Sequence, residues 1–537
     1  MRTVDAIVIL VYLCTLLGIG LRFAGRQKNT GTYFVANRAI PAWAMGLSLM
    51  ATIITSITFV AYPGAAYADN WSLLIPNLMF VGVLLIVGTI VVPFFRRSRA
   101  LSAYAYFGSR FGPGVRLYSS FAFAVGHFAK MGFVTYLVAL TINSVTGWNV
   151  RWVMVLTGLI AVTYTVVGGI EAVVWTDVLQ GFVLWCSILV SIGCILYLTP
   201  GGAHAAFHEA WDQQKIGFGS AAFNLKTPTI PVLAIYGFFF YLQKYTADQT
   251  VVQRYLLAPS DRAAVRGIAL GATLCIPVWV SFMLIGTLLW SYYRLAHEAL
   301  PTTIRRADQV FPHFLATHVP AGAAGLLLAS FLGAAISMLA SDINCISLIG
   351  VEDFYRLLKP HATDQERLRT GKIIALLAGA GAVVAAGGLA RVGGPALSLY
   401  YTLTAIAAGG LAGLFLLAFL SARASARGAQ FGIALSLIVT TWATLTVNGG
   451  QILDFGRWNF PWHDYLIGAL GHLTLLGSGY LFSFLFPGTQ PVSPELTLAG
   501  WLGVQEDIDK ARPSNSASNL LRFPETGNGQ SGSSRQD

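Results

Sequence analysis

Residues 168–180 read GGIEAVVWTDVLQ and lie between two long apolar stretches of the chain. A glycine pair opens the expected turn, and the triplet Trp175, Thr176, Asp177 then carries a carboxylate into the second stretch. A charged side chain inside a membrane costs about 2.5–3.5 kcal/mol on the insertion scale, so it usually faces a cavity, a partner or an ion. The segment therefore predicts two membrane spans joined by a turn, with a functional carboxylate at the start of the second span.

The composition indicates an integral membrane protein surrounded by lipid. Of the 537 residues, 55% are hydrophobic and 11% are charged, whereas soluble proteins carry about 25% charged residues. Apolar runs of about 20 residues recur, each long enough to cross a hydrocarbon core, and spanning segments of this kind should be helices. The thirteen expected spans are 4–22, 40–69, 72–95, 116–145, 151–168, 176–199, 229–253, 263–293, 320–349, 370–390, 395–420, 429–447 and 464–486.

The basic residues indicate an orientation in the membrane rather than a nucleic-acid surface. The formal net charge is +11. If the first connection is cytoplasmic, nineteen Lys and Arg, Arg254 among them, lie on that side before the tail, against nine on the other. The positive-inside rule then places the N-terminus outside and the C-terminus in the cytoplasm, in the cell (inner) membrane. The five cysteines lie in apolar runs without paired spacing, so neither a disulfide framework nor a zinc site is indicated.

Two spans that lie five apart in the chain carry polar residues at their centres. These residues are Thr55, Ser56 and Thr58 in span 40–69, and Gln243, Lys244, Thr246 and Asp248 in span 229–253. Broken helices at matching positions of two five-helix sets are typical of an inverted-repeat transporter with its binding site near the midplane. The alternative is that Ser and Thr bond back to the preceding turn and merely bend the helices.

The first motif and a second one, ADQTVVQRYL at residues 247–256, together resemble the sodium/solute symporter family. That family couples sodium entry to the uptake of sugars, sialic acids, proline, vitamins or small anions. The resemblance covers about residues 5–420 and implies an all-α polytopic membrane protein with an inverted five-helix-repeat core of the LeuT type. The implied parts are an extra N-terminal helix with its loop (1–39), the ten-helix core (40–420, with repeats 40–199 and 229–420), two additional helices (421–486) and a cytoplasmic tail (487–537) whose polar composition predicts disorder.

The resemblance implies a main sodium site built from the break of the first core helix and from the eighth core helix. Matched by motif, its backbone carbonyls fall on Ala51, Ile54 and Ala334, and its first hydroxyl falls on Ser337. The second hydroxyl position is Met338, and a thioether is a poor ligand for a hard cation.

A second sodium site, present in some members, is implied at Asp177, Ser337 and Ser341, although one of its hydroxyl positions is Ala340. Asp342 lies one turn after Met338, on the same face. One hypothesis is that its carboxylate replaces the missing oxygens, or titrates so that a proton helps to drive transport. The alternative is that it pairs near the cytoplasmic mouth. Apart from sodium as coupling ion, and this possible proton, no cofactor is expected.

The expected substrate site centres on Lys130 in the fourth span, because a buried ammonium needs an anion. In sialic-acid-transporting members a basic residue of this span holds the substrate carboxylate, and by position the implied partners are Thr55, Thr58 and Asn77. Sugar carriers have a lysine where this chain has Cys275, which argues against a glucose-type site. The other candidates for the wall are Ser56, His127, Gln243, Lys244, Tyr245 and Tyr401. The alternative is that acids such as Asp248 neutralise both lysines internally.

The sequence therefore predicts a sodium-coupled symporter that imports a small organic solute, anionic and carboxylate-bearing, by alternating access. A neutral-solute or sugar symporter and a transport-deficient ligand sensor remain alternatives. A channel would need a continuous polar pore rather than two local breaks. A membrane enzyme would need a nucleophile–base pair or a metal cluster, which the scattered histidines do not indicate. The sequence leaves the oligomeric state and the identity of the solute open.

Overall fold

The computed structural model describes residues 2–97, 100–302, 304–392, 409–450, 452–488 and 492–503, and the regular structure in these ranges is helical. The helices are numbered here in chain order. They are α1 (Thr3–Arg22), α2 (Thr30–Val35), α3 (Ala42–Ile53), α4 (Ser56–Ala68), α5 (Leu74–Arg97), α6 (Ala103–Phe111), α7 (Pro113–Thr146), α8 (Val150–Leu198), α9 (Gly202–Asp212), α10 (Ile230–Thr246), α11 (Gln249–Leu256), α12 (Asp261–Leu295), α13 (Val310–Thr317), α14 (Ala323–Leu358), α15 (Asp364–Val392), α16 (Leu411–Leu420), α17 (Ala426–Gly450) and α18 (Leu466–Leu485).

The described residues contain nine helices long and apolar enough to cross a membrane, and a tenth span if α3 and α4 count together. Three features explain why this number is lower than the thirteen expected spans. Helix α8 covers two of them, α10 and α11 divide another into short pieces, and span 395–420 falls partly outside the described residues. The exact number of spans and the division into core, additional helices and tail therefore stay predictions; most of the tail, 504–537, also lies outside the described residues.

The turn expected at the glycine pair is a kink within α8 rather than a loop. Helix α8 has 49 residues, which at 1.5 Å per residue is about 73 Å, more than twice a hydrocarbon core. Gly169 divides it, with φ 58° and ψ −156°, a conformation open essentially to glycine alone. The helix resumes at once, so the second half begins before the expected residue 176, and Asp177 lies two turns inside it.

Helix α12 packs against both α3 and α4, the two halves of a bent pair whose axes differ by 61°. The backbones approach closely at glycines: a Cβ on Gly271 would lie 2.7 Å from the carbonyl oxygen of Gly46, and one on Gly286 would lie 2.1 Å from that of Pro63. Small residues at such crossings allow helix backbones to pack directly in a membrane. Pro63 itself lies within α4, so the break occurs before it, at residues 54–55.

Helix α14 forms the centre of the molecule. Every residue from 327 to 349 is buried, and α14 packs against α1, α3, α7, α8 and α15. The short helices α9 and α13 lie in the segments 200–228 and 297–319, between the long helices. Helices α17 and α18 pack against each other, and α18 also packs against α10 and α16. The broken helices therefore meet the buried central part of α14, which positions the site described next.

Candidate functional site

Both expected breaks are present, and each frees backbone groups inside the protein. Helix α3 ends at Ile53, and Thr55 is extended, with φ −106° and ψ 172°, before α4 begins. Helix α10 ends at Thr246, and α11 begins after the extended Asp248. The last carbonyls and first N–H groups of a helix have no intrahelical partners, so the breaks present carbonyls and N–H groups to whatever lies between the helices.

The four residues matched to the main sodium site lie on or directly after α3 and on α14, two helices in contact. Ala51, Ile54, Ala334 and Ser337 are all buried, and so is Met338. The amide of Ile54 donates to the carbonyl of Met50 at 2.8 Å, and the carbonyls of α3 that follow belong to the open helix end. The expected carbonyl set therefore occupies a closed interface between these two helices.

Asp177 is bound by a network that includes a buried arginine. Its carboxylate accepts hydrogen bonds from the hydroxyls of Ser48, at 2.5 Å, and Ser337. The Nη2 atom of Arg254 lies 3.3 Å from the carboxylate and 2.5 Å from the hydroxyl of Ser341. Both charged side chains are fully buried. The residues matched to the second sodium site, Asp177, Ser337 and Ser341, thus already surround a cation that belongs to the chain.

The position of Arg254 corrects the sequence analysis, which placed it in a cytoplasmic connection. It lies in α11, donates from Nε to Ser48 at 2.9 Å and from Nη2 to Thr52 at 3.1 Å, and crosses the interior to reach α8. The signal that could have located it is the motif ADQTVVQRYL itself, since its arginine directly follows a broken apolar span. Ser48 and Thr52 carried no comparable sequence signal.

A second group of ionisable side chains, the charge cluster, lies at the α10–α11 break. Its members are His127 and Lys130 of α7, Lys244 of α10, Asp248 between α10 and α11, and Asp342 of α14. Lys130 Nζ lies 2.9 Å from Asp342 Oδ2, and Lys244 Nζ lies 2.6 Å from Asp248 Oδ2. Both lysines therefore have internal carboxylate partners, which is the alternative that the sequence left open. Asp342 faces α7, with hydrogen bonds to His127 and Lys130.

The polar candidates at the first break and on α5 differ in their burial and in their partners. Thr55 is half-buried, while Ser56 and Thr58 are buried. The Ser56 hydroxyl has no hydrogen-bond partner among the described residues. Asn77 of α5 donates to the Tyr62 hydroxyl at 2.7 Å and accepts from the Tyr241 hydroxyl at 2.6 Å. The two tyrosines were not expected at the site, since aromatic residues are frequent in all the apolar runs.

The remaining candidates lie near the second break. Gln243 is half-buried, and Tyr245 is fully buried against Phe80, with ring centroids 5.3 Å apart. The Tyr245 hydroxyl lacks a hydrogen-bond partner within the described ranges. Cys275 is buried in the same core. Tyr401 lies outside the described residues.

The chain matches one family model and several curated relatives. A model of the sodium:solute symporter family matches residues 33–435. The chain is 32% identical over 489 residues to a sodium/sialic acid symporter, NanT, of Aliivibrio fischeri, covering 90% of this chain and 94% of the relative. It is 31% identical over 486 residues to the sodium/sialic acid symporter SiaT of Proteus mirabilis, covering 90% and 95%.

Two solved structures resemble most of the chain. One is a Na⁺-coupled sialic acid symporter in a substrate-bound outward-open state, with a TM-score of 0.82 and 30% identity, covering 92% of this chain and 99% of that one. The other is Mhp1, a nucleobase-cation-symport-1 family transporter in a closed conformation, with a TM-score of 0.50 and 14% identity, covering 88% and 98%. Together they show that the fold is of the LeuT type, as expected.

Proposed function

Because the chain belongs to the sodium:solute symporter family, we propose that it imports a small carboxylate-bearing organic acid together with sodium by alternating access. The relatives named for sialic acid support an organic acid as the solute. One sodium ion that enters with a monoanionic solute moves no net charge across the membrane, so the sodium concentration gradient rather than the membrane potential drives accumulation.

The observation that most supports a carboxylate-bearing solute is the uncapped N-terminus of α4. Its N-cap residue, Thr55, makes no side-chain cap bond, and the buried hydroxyl of Ser56 is unpartnered within the described residues. A helix N-terminus carries about half a positive charge, and in transporters such ends face anionic substrate groups. The other break differs, because Asp248 accepts from the Thr250 amide at 2.9 Å and so neutralises the N-terminus of α11. A solute carboxylate would therefore meet α4.

The solute site that we propose lies between α4, α5 and α7. Helix α4 packs against α7, which carries Lys130, and the carboxylate would share that ammonium with Asp342. Thr55, Ser56 and Thr58 would supply hydroxyls, and Asn77 an amide. The other candidates proposed to line the wall are His127, Gln243, Lys244, Tyr245 and Tyr401.

We propose a single sodium ion, bound at Ala51, Ile54, Ala334 and Ser337. Asp177 and Ser341 could contribute to a second site only if the guanidinium of Arg254, 3.3 Å from the Asp177 carboxylate, moved away or tolerated a second cation beside it. Like charges at such distances repel strongly in a low-dielectric interior. Asp342 contacts His127 and Lys130 within the charge cluster. These contacts support a role in binding protons or solute rather than a role as a substitute sodium ligand.

We propose that the protein lies in the lipid bilayer of the inner membrane, with the N-terminus outside and the C-terminus in the cytoplasm. Its support is the excess of Lys and Arg in alternate connections. Although Arg254 is no longer one of these connecting residues, the asymmetry remains large without it.

The test is uptake of an acid and of its amide into proteoliposomes that contain the purified protein, with N-acetylneuraminic acid and pyruvic acid as the probes. We expect uptake of at least one acid, stimulated by an inward sodium gradient, and none of its amide. Equal rates for acid and amide would overturn the carboxylate proposal. Lys130→Met should abolish uptake, whereas Lys226→Met, in an exposed loop, should leave it unchanged.

A second candidate is a symporter of neutral solutes, favoured by the internal pairing of Lys130 and Lys244. The same assay distinguishes it, since a neutral solute would be taken up as well as its charged analogue. A ligand sensor without transport, suggested by Met338 and Ala340 at hydroxyl positions, would bind the acid without sodium-stimulated uptake.

A further inference from the structure

A buried tyrosine connects the N-terminal helix α1 to the central helix α14. Tyr12 and Gln180 are both buried, and the Tyr12 hydroxyl donates to the side-chain oxygen of Gln180 on α8. Gln180 in turn donates from Nε2 to the backbone carbonyl of Ser330 on α14, at 2.8 Å. Two consecutive hydrogen bonds, called here the Tyr12–Gln180 chain, therefore join three helices that are distant in sequence.

A glycine of α14 makes room for the Tyr12–Gln180 chain. A Cβ on Gly333 would overlap the Tyr12 hydroxyl and the Gln180 side-chain oxygen, and it would lie 2.7 Å from Cζ of Tyr12. Carbon atoms in contact are normally about 3.5–4.0 Å apart, so a side chain at this position would displace the two polar groups. They therefore lie directly against the backbone of residue 333, next to Ala334.

Helix α1 is also fixed to α14 at a second place. Asp5 is buried, and its carboxylate accepts hydrogen bonds from the amides of Gly322, at 2.7 Å, and Gly325, at 2.9 Å, where α14 begins. Asp5 and Tyr12 are seven residues apart, which is about two helical turns, so they share one face of α1. The N-terminal helix therefore contacts both the start and the middle of α14.

The carbonyl that Gln180 contacts belongs to the helical turn that leads to Ala334. In an α-helix the N–H of each residue bonds to the carbonyl four residues earlier, so the Ser330 carbonyl is the partner of the Ala334 amide. A carbonyl oxygen has two lone pairs and can accept from Gln180 as well. Since the Ala334 carbonyl is one of the proposed sodium ligands, the Tyr12–Gln180 chain contacts the turn that carries a ligand.

Helix α8 contacts α14 on both sides of Ala334. Gln180 and Asp177 are three residues apart on α8 and therefore lie on the same face. Gln180 bonds to the carbonyl of Ser330, and Asp177 accepts from the hydroxyl of Ser337, the other proposed ligand on α14. These two α8 side chains thus hold the stretch of α14 from residue 330 to residue 337, which contains both ligands.

The Tyr12 hydroxyl determines which way the Gln180 amide faces. A glutamine side chain ends in an acceptor oxygen and a donor NH₂ group, and a half-turn of the amide exchanges the two. Because the hydroxyl donates to the oxygen, the NH₂ group is directed to the carbonyl of Ser330. Without the hydroxyl, the buried oxygen would lose this partner, and an unpaired buried acceptor is costly. The orientation that reaches α14 would then be less favoured.

We propose that Tyr12 is a positioning residue for sodium binding, which acts through Gln180 on the turn of α14 that leads to Ala334. The inference rests on the sodium site proposed above and extends it to α1, a helix that supplies none of the proposed ligands. Loss of the Tyr12 hydroxyl releases one of the contacts that hold this turn against α8. Sodium binding therefore weakens although every proposed ligand is still present.

The test is the melting temperature of the purified full-length protein as a function of sodium chloride, with choline chloride added to keep the ionic strength constant. Stabilisation by a bound ion depends on the ratio of its concentration to its dissociation constant, so the concentration at which the melting temperature begins to rise reports that constant. We expect Tyr12→Phe to raise the sodium dissociation constant about three- to tenfold, the effect of one lost hydrogen bond. A merely structural role would lower the melting temperature equally at all sodium concentrations.

Two further variants assign the effect to the Tyr12–Gln180 chain. Tyr33→Phe removes another buried hydroxyl, which donates to the Thr165 carbonyl of α8 at 3.3 Å, and should leave the sodium dissociation constant unchanged. Gln180→Leu should raise the constant at least as much as Tyr12→Phe does. The double variant should bind sodium no more weakly than Gln180→Leu alone, because both changes interrupt the same chain.

The possible results separate this inference from the sodium site itself. An unchanged sodium dissociation constant in Tyr12→Phe or, if that variant does not fold, in Gln180→Leu would overturn the inference and leave the sodium site intact. Additive effects of the two changes would also overturn it, since the residues would then act separately. A wild type that sodium does not stabilise would overturn the proposed sodium site together with this inference.

Discussion

Arg254 and Asp177 form an ion pair in which Nη2 and Oδ2 are 3.3 Å apart and neither side chain has exposed surface. The pair joins α11 to α8, and the hydroxyls of Ser48, Ser337 and Ser341 hydrogen-bond to its charged groups. Removing one partner of a buried pair leaves an uncompensated charge, which is far more costly than the net contribution of the intact pair. The pair therefore links the second helix break to the centre of the transporter.

Replacing one member of this pair should destabilise the protein strongly. We expect Arg254→Gln and Asp177→Asn each to cost about 3–5 kcal/mol, and the double variant to cost clearly less than their sum. The measurement is a denaturation titration of the purified variants in detergent. Arg262→Gln, an exposed arginine at the start of α12, should be nearly neutral. An additive double variant would show that the two charges do not depend on each other.

Removal of the Ser337 hydroxyl should weaken sodium binding. Loss of one hard oxygen ligand is expected to raise the sodium concentration for half-maximal stabilisation about tenfold, equivalent to about 1.4 kcal/mol. The measurement is the melting temperature as a function of sodium for Ser337→Ala. Ser330→Ala, two turns earlier on the same buried helix, is the matched control. An unchanged midpoint in Ser337→Ala would remove this hydroxyl from the proposed site.

Restoring a hydroxyl at the neighbouring position should have the opposite effect. Met338 is fully buried beside Ser337, so both Met338→Ser and Met338→Ala create a cavity and should lose about 2–5 kcal/mol of stability without sodium. Because only serine adds a hard oxygen, we expect Met338→Ser to bind sodium more tightly than Met338→Ala. The two sodium titrations provide the comparison. Identical midpoints would indicate that residue 338 does not face the ion.

The kink in α8 depends on Gly169. A Cβ at this position would lie 2.8 Å from the Tyr33 ring and 2.9 Å from the Gln27 side-chain oxygen, on a backbone with φ 58° and ψ −156°. Gly169→Ala should therefore cost at least about 1–3 kcal/mol from backbone strain. Gly193→Ala, an exposed position of the same helix with open space around it, should be neutral or stabilising. Thermal unfolding of both variants, side by side, measures the difference.

The sequence predicted the class of fold and the positions of both helix breaks. A polar group inside an apolar run is costly, so Thr55, Ser56, Lys244 and Asp248 had to mark places where the helix opens or a partner is present. The sequence analysis was less accurate at the glycine pair, where a turn was expected and α8 is kinked instead. One glycine with a positive φ can redirect a helix without a loop.

The partners of Lys130 and Arg254 were decided by the tertiary structure alone. Lys130 meets Asp342 across 212 residues, and Arg254 meets Asp177 across 77. Local composition fixes which segments enter the membrane and where a helix cannot continue, since these depend on the transfer energy of neighbouring residues. Which carboxylate neutralises which cation depends on how distant helices pack around α14, and neither hydrophobic periodicity nor motif spacing contains that information.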